Sequence, residues 1–121
     1  ESIKKKAESD GLLIGLDGRT LYPRKSYSAL NLLIQNAAVT VTKRATLFHF
    51  FFMEANGIRH VLDFNMAAHV HDEWVLEVKN EYVEDVAPMA MMAIKAAGKY
   101  YDLKVALTGE TKVGKTWAET H

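Results

Sequence analysis

His71-Asp72-Glu73 sets an imidazole and two carboxylates in a row between two apolar runs, residues 66–70 and 74–78. Runs of this length with a polar break predict a β-hairpin over about residues 62–78, with the triplet at its bend. A tight turn held by a flanking ladder fixes its side chains. Fixed carboxylate oxygens are the hard ligands that a divalent cation requires. The flanking Ala67, Ala68, Val70, Val75, Leu76 and Val78 read as a buried strand pair. An unpaired carboxylate buried beside them would be costly unless a cation or a donor met it. The plainer alternative is a polar turn, since Asp is a common turn residue.

Four other groupings carry chemistry of their own. His69 and His71 lie two apart on a strand and face the same way, as in cupin-like metal sites. The rest of that pattern is missing, because Glu77 follows His71 by six residues and no Gly lies between Gly57 and the pair. A His-x-His-x-Asp-His metallo-hydrolase pattern is not met either. His69 therefore reads as a half-buried strand histidine, and a small metal-dependent hydrolase built on His69, His71 and Asp72 stands as an alternative. Asn31 and Gln35 are four apart on a helical segment and share one face. Residues 109–116 match G-x-x-x-x-G-K-[ST] in full, with an apolar segment before them. A phosphate loop needs a helix after it within a parallel sheet, and only five residues follow Thr116. Arg19, Arg24, Lys25, Lys43 and Arg44 flank the long helix; solvated charges are the default, and phosphate contacts the alternative.

The elements that position these groups follow from periodicity. Residues 1–10 are a polar lead-in with Lys4-Lys5-Lys6. Asp17-Gly18 between apolar runs predicts a hairpin that Pro23 closes. A helix is expected over residues 28–56, with a stripe of Leu30, Leu33, Ile34, Ala37, Val41, Ala45, Phe48 and Phe52 and a stop at Asn56-Gly57. After the central hairpin, Asn80 is expected to cap a second helix, with Tyr82, Val86, Met89, Ala93, Ala97 and Tyr100 on one face and Pro88 interrupting it. Residues 104–108 read as a last strand, and Trp117 as a tail anchor on the sheet. Strands with helices on one face make an α+β fold with a mainly antiparallel sheet.

Composition narrows the function. The chain has 121 residues, 49% of them hydrophobic, which suits one modest domain. Fifteen basic residues balance fifteen acidic ones, so contact with nucleic acid would have to be local. The absence of cysteine excludes disulfides and thiolate metal sites. No run reaches the ~20 apolar residues of a membrane helix, and no membrane partner is expected. The chain opens on Glu1, which fits a portion of something longer.

The run Val70-His71-Asp72-Glu73 with Glu77 beyond it resembles the third signature of the family A DNA polymerases, the bacterial polymerase I type and its phage replicative relatives. Asn31 and Gln35 match the Asn-x-x-x-Gln pair on the helix that leads to the catalytic hairpin. Residues 15–19 are similar to the phage branch in particular. Gly114, Trp117 and His121 resemble the family's closing residues. Where bacterial members carry an Arg one turn before the Asn, this chain has Tyr27, so that contact is not carried over. The resemblance runs from about residue 11 to the end.

The resemblance implies the C-terminal part of a polymerase palm: one partial domain over residues 1–121, with a palm-type sheet and two helices on one face. It implies that Asp72 binds two Mg2+ ions, that Glu73 is a neighbouring active-site carboxylate, and that His71 lies beside the primer terminus. Asn31 and Gln35 would probe the minor groove, whose acceptors vary little among base pairs. Arg24 and Lys43 would meet DNA phosphates. The implied partners are primer-template DNA, deoxynucleoside triphosphates and the remaining portion of the polymerase, which holds the second palm Asp, the fingers and the thumb. The implied location is the cytoplasm of a bacterial or phage-infected cell. A non-catalytic DNA-binding or assembly module with a palm-like shape is the second reading.

Overall fold

A computed structural model describes residues 2–120; the expectation for His121 lies outside them. The fold is α+β, and the chain divides into two compact units, the first ending at Thr42 and the second beginning at Lys43. The long helix α2 (Ala29–Ala55) starts in one and finishes in the other.

In the first unit the lead-in is helix α1 (Ser2–Asp10), which buries Ala7. Strands β1 (Leu13–Ile14) and β2 (Thr20–Leu21) pair antiparallel, Leu13 opposite Leu21. The Asp-Gly turn forms as its residues require: Gly18 takes φ +83°, open to glycine, and its N–H donates to the Gly15 carbonyl at 3.0 Å. Ala7, Leu13 and Ala29 form the core, covered by Ile3, Leu21 and Leu33. Gly15 is glycine for a different reason, since a Cβ there would run into the Asn36 side chain.

In the second unit α2 ends in a Schellman motif. Gly57 adopts φ +76°, its N–H donates to the Glu54 carbonyl, and the Ile58 N–H donates to that of Met53, both at 3.0 Å. The hydrophobic contact that accompanies this motif is Met53 with Ile58, and Phe64 and Val86 complete the core around them. Strands β3 (Phe64–Val70) and β4 (Glu73–Val78) form an antiparallel hairpin from Phe64–Val78 to Val70–Glu73, with a register shift between Met66 and Ala68. Asn80 does not cap the next helix. It opens a 3-10 turn, Asn80–Tyr82, that feeds α3 (Val83–Tyr100). Pro88 sits inside α3. The carbonyl its missing N–H would have served is that of the exposed Glu84, in the first turn, where water can satisfy it.

Three further expectations need correction here. Leu30 and Ile34 are 53% and 58% exposed, and Phe48 and Phe52 only half-buried. The buried line of α2 in the second unit is Ala45, His49 and Met53; an apolar-only stripe cannot include a histidine. The hairpin is not a buried strand pair either: Ala67 is exposed and Val70 is 52% exposed, because a two-stranded ribbon has one open face. Residues 104–108 form no strand. Leu107 turns its side chain onto Gly98 of α3, at 3.2 Å from where a Cβ would stand, and Lys104, Val105 and Ala106 stay exposed.

Candidate active-site hairpin

The two-residue turn between β3 and β4 consists of His71 and Asp72. His71 adopts φ +53°, the left-handed region, which His tolerates better than most residues at a cost of about 1 kcal/mol. The strained backbone sets Asp72 at the tip, and Glu73 follows at the first position of β4. All three side chains are exposed, so the carboxylate at the bend faces solvent and not its own core.

The base of the hairpin is locked. Asp63 is buried, and its carboxylate accepts from Lys79 Nζ at 2.8 Å and from Arg59 Nε at 3.0 Å. The Arg59 backbone N–H adds a third bond at 2.9 Å. The bonds from Lys79 and then Arg59 hold the Asp63 carboxyl far below the usual carboxylate range. The Lys79 N–H also donates to the Asp63 carbonyl at 3.0 Å, which ties the end of β4 to the start of β3. No sequence motif marked Asp63; its signal was a lone Asp among apolar residues ahead of a strand.

Near the tip the hairpin leans on α2 through aromatic rings. Trp74 stacks on His49 with ring centroids 5.3 Å apart and planes 7° apart. His69, directly across the ladder from Trp74, meets the same indole edge-on at 6.1 Å. His49 is fully buried, and neither ring nitrogen has a hydrogen-bond partner; the buried Trp74 Nε1 has none either. Burial pushes the His49 imidazole below its ordinary value, while the Val86 backbone pulls weakly the other way without a hydrogen bond of acceptable geometry. Orphaned buried polar groups cost about 1–3 kcal/mol each.

The remaining candidates distribute as follows. Asn31 and Gln35 are exposed one turn apart on α2 in the first unit, and Arg24 is exposed in the stretch before that helix. Lys43 is exposed at the start of the second unit. Arg19 is engaged by Asp17 at 2.8 Å, and Arg44 lies 4.2 Å over the Tyr100 ring. Among the described residues no three His, Asp or Glu side chains converge as a metal site, so His69, His71 and Asp72 do not assemble a hydrolase centre. A single exposed carboxylate still fits Mg2+, which keeps several waters and takes one or two protein carboxylates with substrate phosphates. The G-x-x-x-x-G-K-T string has no strand before it, and the helix after it, α4 (Trp117–Thr120), is one turn long. Trp117 is 55% exposed, contrary to its expected role as a covered anchor.

Comparison with known proteins agrees with this geometry. The family model for DNA polymerase family A matches residues 14–119, and the chain belongs to that family. It is 31% identical over 110 residues to the DNA-directed DNA polymerase of Escherichia phage T7 and 29% identical over 120 residues to that of Escherichia phage Phieco32. Those alignments cover 88% and 93% of this chain but 16% and 19% of the relatives. DNA polymerase I of Pseudomonas aeruginosa is 30% identical over 133 residues, covering 100% of this chain and 14% of its own. The chain thus spans under a fifth of the length of each of these three. The fold is similar to the polymerase domain of M. smegmatis Pol1, solved with DNA primer-template and dNTP, at a TM-score of 0.68 and 21% identity over 79% of this chain and 18% of that one. Among the described residues no helix is long and apolar enough to cross a membrane.

Proposed function

We propose that the chain is the C-terminal palm portion of a template-directed DNA polymerase, completed by the portion of the enzyme that lies outside it. The observation that carries this reading is the exposed Asp72 at the tip of a hairpin locked at its base, within a sequence that belongs to family A. Asp72 would hold Mg2+ through its carboxylate, with Glu73 beside it. When bound, the metal pair lowers the pKa of the primer 3′-hydroxyl and offsets charge on the α-phosphate of the incoming deoxynucleoside triphosphate.

The chain's own residues do the positioning. The turn presents the Asp72 oxygens to solvent, and His71 stands next to them for the primer end. On α2, the Asn31 and Gln35 amides offer donors one turn apart to minor-groove acceptors, which tests pairing geometry without reading sequence. Arg24 and Lys43 offer charge to phosphates, which positions DNA without specifying it. The setting is the cytoplasm of a bacterial or phage-infected cell.

The test is complementation. The chain mixed with the missing portion should incorporate nucleotides on a primer-template, the chain alone should not, and Asp72→Asn should abolish the restored activity. Activity surviving that substitution removes Asp72 from its role. Tight DNA binding by the chain alone, with no activity on complementation, would favour the non-catalytic module instead.

A further inference from the structure

His49 is a buried imidazole that the proposed chemistry does not use. It lies on α2 in a line otherwise made of Ala45 and Met53. Neither nitrogen makes a close hydrogen bond, and among the described residues the Val86 backbone is the one group that acts on them. What it does offer is a flat face, laid nearly parallel to Trp74 at 5.3 Å. Trp74 is two residues from Asp72 and opens the ladder directly after Glu73. His69 closes on the opposite strand against the same indole. Three rings therefore run from the interior of the helix to the hairpin, and they meet it near the turn, whereas the Asp63 lock holds the other end.

A two-stranded hairpin is marginal in water by itself and needs packing, here against a helix, to hold its shape. The Asp63 lock fixes the base only. We propose that His49 is a positioning residue: its stack on Trp74 pins the tip of the β3–β4 hairpin to α2 and so sets where the Asp72 carboxylate stands. The consequence for catalysis rests on the proposed polymerase function; the hold on the hairpin does not. Misplacing a catalytic group by ~1 Å can cost roughly a hundredfold in rate, so even partial loosening of the tip is readable as turnover.

The experiment compares His49→Leu, which stays apolar and buried but has no flat face, with His49→Phe, which restores one. Hydrogen exchange of the β3 and β4 amides is measured on the whole chain. Incorporation is measured on the polymerase assembled with its complementing portion, with thermal midpoints recorded for every variant. His49→Leu should speed exchange of the amides near the turn by about tenfold and lower kcat by about tenfold with the nucleotide KM unchanged. His49→Phe should bring both back toward wild type. Exchange near the turn that is unchanged in His49→Leu overturns the proposal, and so does His49→Phe behaving like His49→Leu at an equal thermal midpoint. If Asp72→Asn keeps full activity, the polymerase role of the hairpin falls, while the exchange comparison still decides whether His49 holds it.

Discussion

Replacing Met53 by Ala tests whether the second unit has its own core. Met53 is fully buried and touches the cluster of Ile58, Phe64 and Val86, so one side chain joins α2, the first residue of β3 and α3. It is also the residue whose carbonyl receives the Ile58 N–H in the helix stop. Truncating a buried Met to Ala removes transfer energy and leaves a cavity, at about 2–5 kcal/mol. The middle of that range lowers the melting midpoint by roughly 14 °C in a chain of this size. The first unit's core of Ala7, Leu13 and Ala29 shares no residue with this cluster. Denaturant titration gives the energy, and hydrogen exchange gives its location: β3, β4 and α3 should lose protection, and the Leu13–Leu21 ladder should keep it. A loss below about 1 kcal/mol, or equal loss of protection in both units, would refute the reasoning.

Four further outcomes follow from local geometry. His49 is held below its ordinary value of 6.5, so the unfolded chain takes up that proton first. It contributes nothing above pH 6.5 and destabilises as pH falls below it, by at most about 1.4 kcal/mol per pH unit; His49→Phe should flatten this stretch of a urea-midpoint profile. Asp63 titrates the other way, because its carboxyl is depressed from 3.8. Its contribution is fully present above pH 3.8 and is lost as pH falls through the lower folded value, so Asp63→Asn should lower stability at pH 7 and weaken the acid transition. Val61 is β-branched, 72% exposed and at φ +70°; Val61→Gly should stabilise by about 1 kcal/mol in a thermal melt. Gly15→Ala should destabilise the first unit, since the new methyl meets Asn36, and exchange at the β1–β2 ladder reads the loss.

What the sequence made legible was what periodicity and turn chemistry encode. Asp17-Gly18, Asn56-Gly57 and the break at His71-Asp72 each became the turn or stop that their residues favour, and α2 and α3 lie within a few residues of their expected spans. The misses share a cause. His49 and Asp63 are polar residues whose burial goes with partners far along the chain, Trp74 for one and, beside the nearby Arg59, Lys79 for the other. No local pattern announces such a partner. Residues 104–108 hold a short apolar run that suggests a strand, but a strand also needs an open edge beside it, and here Leu107 packs on Gly98 instead. Asp72 itself was legible as a motif, whereas the left-handed backbone of His71 that presents it was not.

The most direct measurement of the central claim is a metal-specificity switch at the turn. With Asp72→Cys in the assembled polymerase, a soft thiolate replaces a hard carboxylate, so single-nucleotide incorporation should fall to background in Mg2+ and recover in part when a thiophilic ion such as Cd2+ is supplied. Incorporation by Asp72→Cys at the wild-type rate in Mg2+ would contradict the account, because the side chain at that bend would then hold no metal.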